Sequence, residues 1–182
     1  IDMTSGCALD ISGGSFRNAS AGAYPVINMF DAAMQSEVVN TIDISGGTFE
    51  IVNNHIIIAA ASAEINISDG IFTSSYSNTG TPEEASAACD SIIYACDNYT
   101  SALNITGGTF TTSDGGSVIT PGTLGSMTVA LDGGIFNSNL VAGENAATEP
   151  NTIAVGNTAL TANAAVIAAD KLTANFTATD IT

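Results

Sequence analysis

Few side chains in this sequence are equipped for chemistry, and their spacing decides what they can do. Arg17 and Lys171 are the only bases among 182 residues, set against 18 acids, and His55 is the one histidine. Hydrolysis by paired carboxylates needs acids that converge on one groove. The acids here are scattered: Asp10 and Asp43 each sit between two apolar residues, Asp69 and Asp132 sit next to glycine, and Glu83-Glu84 follows Pro82. No D-x-D-x-D-G run marks a Ca²⁺ loop. A lone His55 makes neither a metal site nor an obvious triad, and an edge or core role suffices for it beside an apolar strand. Cys7, Cys89 and Cys96 are too few for a disulfide scaffold. Cys89 and Cys96 close a small loop if the chain turns between them, and sit beyond the ~7 Å Cα limit if it runs extended. No metal, cofactor or catalytic residue is expected.

Composition narrows the class of partner. The net charge of -16 comes from missing Lys and Arg rather than from acidic runs. A chain so poor in cations cannot neutralise phosphates, so nucleic-acid binding is not expected. Two cut sites for trypsin-like proteases would suit an extracellular or cell-surface setting. No stretch of ~20 apolar residues is present, so no membrane-spanning helix is expected. With 45% hydrophobic and 11% charged residues, the chain is too apolar for disorder and too poor in charge for a helical bundle. The five N-x-[ST] sequons, at Asn18, Asn66, Asn98, Asn104 and Asn175, are weak evidence of glycosylation in a sequence this rich in Asn, Ser and Thr.

The elements that position these residues are read from an internal repeat. Leu9-Asp10-Ile11-Ser12-Gly13-Gly14-Ser15-Phe16 returns as Ile42 to Phe49, Ile65 to Phe72, Leu103 to Phe110 and Val129 to Phe136. The first and third positions are apolar around a mostly polar second, the period of a half-buried strand. Ser, Thr or Asp follows, able to bond turn backbone. Glycine then permits a corner, after which Phe re-enters the core from a second face. A looser third strand precedes each of the last four copies, at Pro25 to Phe30, His55 to Ile58, Ser91 to Tyr94 and Ser117 to Thr120, and Ile1 to Thr4 fits the same strand ahead of Leu9. The phenylalanines that close successive repeats lie 33, 23, 38 and 26 apart, spacing a solenoid tolerates by looping extra residues out at corners.

The pattern predicts an all-β parallel β-helix, a solenoid with about three strands per coil and like residues laddered ~4.8 Å apart. Expected core ladders are Ile11, Ile44, Ile67, Ile105 and Leu131, and Phe16, Phe49, Phe72, Phe110 and Phe136. Residues 1–138 carry the coils. Residues 139–182 turn to Ala, Thr and Asn and are expected to form atypical coils or a C-terminal cap. The acids at the second repeat position give way to Asn66, Asn104 and Ala130, so any acidic ladder there is expected to fade. On the second face, Thr48, Thr109 and Thr111 alternate with unlike residues, too broken an array for ice binding.

The I-x-I-[ST]-G-G-x-F pattern resembles repeats in bacterial surface and secreted proteins of the right-handed parallel β-helix superfamily, the pectate-lyase-like fold, over about residues 1–138. That resemblance implies the right hand, which agrees with the general crossover preference. It is loose for function, since the superfamily includes lyases, hydrolases, tailspikes, adhesins and stalks. A lyase of this fold would need a base, and only Arg17 and Lys171 are candidates. A non-catalytic stalk, adhesin segment or filament subunit is therefore expected. The alternative is a carbohydrate-binding or carbohydrate-degrading module using the insertion edge around 73–91, with Tyr76, Glu83, Glu84, Asp90 and Tyr24 as binding residues, since insertions often gather on a repeat protein's binding edge. Glycans, further coils of a parent protein, or other copies joined head to tail are the expected partners. Ile1 reads as mid-coil, which marks a processed chain or an excised piece.

Overall fold

The computed structural model describes residues 1–4, 6–19, 24–31, 38–52, 54–75, 91–96, 99–112, 117–120, 126–136, 139–141, 151–155 and 158–162. The described residues form strands and connecting turns with no helix, and the strands assemble into two sheets. One sheet holds β1 (Asp2–Met3), β3 (Ile27–Phe30), β5 (Ile57–Ala60), β7 (Ser91–Ala95), β10 (Ser117–Thr120) and β13 (Asn139–Val141), in that order. The other holds β2 (Ala8–Asn18), β4 (Asn40–Val52), β6 (Ala63–Ser75), β8 (Thr100–Ile105), β9 (Thr109–Thr112), β11 (Ser126–Leu131), β12 (Ile135–Phe136), β14 (Asn151–Val155) and β15 (Thr158–Ala162). The chain passes from one sheet to the other and back, and each return lays a strand parallel to its predecessor. The exception is β15, which pairs antiparallel with β14 as a hairpin within the compositionally distinct last segment.

The eight-residue repeat does not break into two strands everywhere. In β2, β4 and β6 it is a single strand of 11, 13 and 13 residues, with register shifts after the third repeat position. In the later repeats the same segment divides into β8 with β9 and β11 with β12. Glycine explains both forms. The second glycine of each corner has positive φ, 111° at Gly47 and 110° at Gly134, a conformation that penalises any Cβ. The backbone thus bends by a bulge while strand pairing carries on either side. Crowding enforces the first glycine in the later repeats, where a Cβ on Gly107 would lie 2.1 Å from the Ser68 carbonyl oxygen. In the third repeat Asp69 takes that place, and its Oδ1 accepts a 2.7 Å bond from Gly70 N.

Alternation along these strands sends one side chain in two to the interior. Pairing sets Ile11 on Ile44, Ile44 on Ile67, Ile67 on Ile105 and Leu131 on Ile105. All five are buried. A second inward row runs through Ile42, Ile65, Leu103 and Val129, and the opposite sheet contributes Ile27, Ile57, Ile93 and Ile119. Beyond each corner the phenylalanines stack face on face: centroids are 5.0 Å apart for Phe16–Phe49, 4.8 Å for Phe49–Phe72, 4.8 Å for Phe72–Phe110 and 5.0 Å for Phe110–Phe136. Interplanar angles stay at or below 10°. Phe49, Phe72, Phe110 and Phe136 are fully buried, whereas the end member Phe16 is only partly covered.

Candidate functional site

The outward positions of β4, β6 and β8 carry the most ordered polar arrangement among the described residues. Asp10, Asp43, Asn66, Asn104 and Ala130 hold the second position of successive repeats, and pairing places each beside the next. The change from Asp to Asn does not end the row. Asn104 Nδ2 donates to Asn66 Oδ1 at 2.8 Å, and Asn66 Nδ2 donates to Asp43 Oδ1 at 2.9 Å. A longer 3.4 Å contact joins Asn66 Nδ2 to Glu64 Oε1. The row therefore has a direction: amides donate toward a carboxylate, and Asp43 lies next to a second carboxylate on Asp10. An Asp ladder would have stacked like charges at strand spacing, a cost that the amides remove.

Beside this row run the hydroxyls of Ser45, Ser68 and Thr106, all exposed. Ser68 Oγ donates to the Ile44 carbonyl at 3.4 Å. The two rows border a groove of about 260 Å³ lined by Asp43, Ser45, Asn66, Ser68, Asn104 and Thr106, with Ile44 and Ile67 contributing to its wall. It is a surface of hydroxyls, amides and one carboxylate drawn from three successive repeats. Most of the groove's lining surface is nonetheless apolar, and its hydrogen-bonding groups are those of the two rows.

His55 takes part in a different arrangement. It is buried where the chain enters β5, and its Nδ1 lies 2.8 Å from Ser91 Oγ and 3.1 Å from the Ser91 carbonyl oxygen. The carbonyl can only accept, so that contact favours a proton on Nδ1. The imidazole stacks on Tyr94 with centroids 4.9 Å apart. Burial lowers the pKa of His55 from 6.5, and the bond to the Ser91 backbone opposes that shift. A serine and a histidine at this distance have the separation of a nucleophile and its base. Ser91, however, is wholly buried, so its hydroxyl meets no substrate in this conformation. The pair satisfies polar groups in a packed corner.

The insertion-edge residues divide in two. Tyr24 is 71% exposed, and its carbonyl accepts a 2.6 Å bond from Asn18 Nδ2, which leaves its ring in solvent. Tyr76, Glu83, Glu84 and Asp90 lie outside the described residues, as do Cys89 and Lys171. Arg17 pairs with Glu50 across adjacent strands, Nε to Oε2 at 3.2 Å, on side chains 66% and 51% exposed. Among the described residues no three His, Cys, Asp or Glu side chains gather as a metal site. Sequence reading missed the groove because its ladder is carried by Asn. The one available signal was that Asn66 and Asn104 recur at the position of Asp10 and Asp43. No family model matches the chain, and no curated protein or solved structure matches it.

Proposed function

We propose that the chain is a right-handed parallel β-solenoid of about three strands per coil, serving as a non-catalytic structural module of an extracellular or surface protein. A stalk, adhesin segment or filament subunit is the role meant. The observation that carries this reading is the phenylalanine stack: five equivalent rings from five repeats, each 4.8–5.0 Å from the next. Equal spacing across sequence intervals as unequal as 23 and 38 residues is what winding around one axis produces, with excess chain expelled at the corners. Parallel strands reached by crossover connections favour the right hand. A scaffold role is further supported by where the side chains are invested: the ladders are apolar within, and the nucleophile nearest the single histidine is buried. In this reading the partners are further repeats of a longer parent or other copies added along the axis.

Two measurements test the proposal together. Small-angle scattering and electron microscopy of the purified chain should show an elongated particle of one cross-section. Incubation with pectin, alginate, mucin glycans and plant polysaccharides should release no unsaturated or reducing ends above background. Reproducible cleavage that disappears with Arg17→Ala or with an acid-to-amide substitution would overturn the non-catalytic reading, and an isotropic compact particle would overturn the solenoid.

A further inference from the structure

Inside the corner that leads from the first sheet into β4, β6 and β8, two polar side chains stand in a row of core residues. Asn40, Ala63 and Ser101 are neighbours by strand pairing, each two residues ahead of the inward Ile42, Ile65 and Leu103. All three are buried, Asn40 at 0% exposure, Ala63 at 3% and Ser101 at 1%. Neither Asn40 Nδ2 nor Ser101 Oγ has a hydrogen-bond partner among the described residues. Buried polar atoms are satisfied almost without exception, because an unmet one forfeits its hydration. We propose that Ala63 underlies an internal water site, a pair of ordered molecules running from Asn40 Nδ2 to Ser101 Oγ.

The orientation of Asn40 supports this. Its Oδ1 accepts a 2.9 Å bond from Cys7 N, in the preceding coil, and its own backbone N donates to Ser62 O at 2.9 Å. A backbone N–H can be answered only by the oxygen of a carboxamide, so the two ends of the amide are assigned. Nδ2 lies across the carboxamide from that bond, turned away from Cys7, with both its protons to place.

Spacing and side-chain size select what fits between. Paired strands lie about 4.8 Å apart, so the Asn40 and Ser101 backbones, two steps apart, are separated by about 9.6 Å. That is too far for a direct bond, whereas three links of about 2.8 Å through two waters span about 8.4 Å, and a modest lean of the amide covers the rest. Between them the coil is built small: Ala59, Ala61 and Ala63 are all buried, and methyl groups stand where neighbouring rows carry Met29, Asn40 and Ser101.

The chemistry of the two ends excludes ions. An amide that offers only protons repels a cation. An anion would be buried near Asp31, at the start of the corner that leads to Asn40, in a chain of net charge -16. Water donates and accepts, and so answers both the amide and the hydroxyl. The site is internal, separate from the outer groove, and does not depend on the scaffold proposal.

The test is a high-resolution crystal structure of the chain together with water-selective NMR on the ¹⁵N-labelled protein. Two ordered waters should link Asn40 Nδ2 to Ser101 Oγ, and the Asn40 side-chain amide should give a cross-peak to long-lived water. In Ala63→Ser the new hydroxyl should take the place of one water, and the crystal structure of that variant should show a single water remaining. Should Ala63→Ser fail to fold, the unsubstituted chain decides alone. The proposal is overturned if the density over Ala63 is empty, if Nδ2 instead meets a protein acceptor, if the Asn40 amide shows no cross-peak to long-lived water, or if Ala63→Ser retains both waters.

Discussion

Replacing Phe72 by alanine is the most direct measure of what holds the molecule together. Its ring is fully buried between Phe49 and Phe110, each 4.8 Å away and within 5° of parallel. Large-to-small changes at such sites cost about 3–5 kcal/mol, through lost burial and the cavity left behind. Two aromatic contacts, each worth about 0.5–1.5 kcal/mol beyond area, place Phe72→Ala toward the upper part of that range. Phe16 supplies an internal control. It has one stacking neighbour and is only partly covered, so Phe16→Ala should cost roughly half as much. Urea denaturation followed by circular dichroism would measure both, with a shared m-value as the condition for comparing them. A third variant refines the result. A Cβ on Gly70 would lie 2.9 Å from Phe72 Cε2, so Gly70→Ala should cost less when Phe72 is already alanine. The strain of a φ of 132° remains in both backgrounds, so only the collision is relieved, and the coupling should be about 1 kcal/mol. If Phe16→Ala proved as costly as Phe72→Ala, or if the Gly70 and Phe72 effects were additive, the continuous stack would be the wrong account of stability.

Gly107→Ala should lower the melting temperature steeply, because its Cβ meets the Ser68 carbonyl, whereas Gly13→Ala, with nothing within 4 Å, should change it little; calorimetry on both checks this. His55 should make stability depend on pH. Its folded pKa is lowered by burial, so the unfolded chain takes up a proton first as pH falls through 6.5, and stability should decline from there downward. The slope between pH 7.5 and 5.5 should flatten in His55→Gln, read from urea midpoints. Arg17→Ala removes an exposed ion pair and should change stability by no more than about 1 kcal/mol.

What could be read from the sequence was what depends on local period. Alternation around Ile11, Ile44, Ile67 and Ile105 tells which side chains face in, and the recurring glycines tell where the chain bends. Contacts between repeats were harder to read, because they need register, and register depends on insertions of unequal length. Ser91 meets His55 across 36 residues, and nothing in either neighbourhood announces it. The Asp-to-Asn change at Asn66 and Asn104 looked like loss of an acidic row, because a carboxylate and an amide differ in charge. In the folded chain the amide has a hydrogen-bond donor that a carboxylate lacks, and it joins the row instead. The single long strands β2, β4 and β6 were read as two each, since a glycine pair signals a corner and does not say whether pairing survives it.

The evenness of the aromatic stack has a consequence for how such a chain can change over generations. Its graduations are 4.8–5.0 Å wherever they fall, although the segments between them run from 23 to 38 residues. In the proposed solenoid, extra sequence would then be expressed as girth and not as reach. In that arrangement an insertion at a corner would alter what the molecule displays sideways and leave its length untouched, while one more eight-residue motif with its return strand would lengthen it by one fixed step. Reach and display would then be set by separate stretches of sequence, and either could change without disturbing the other.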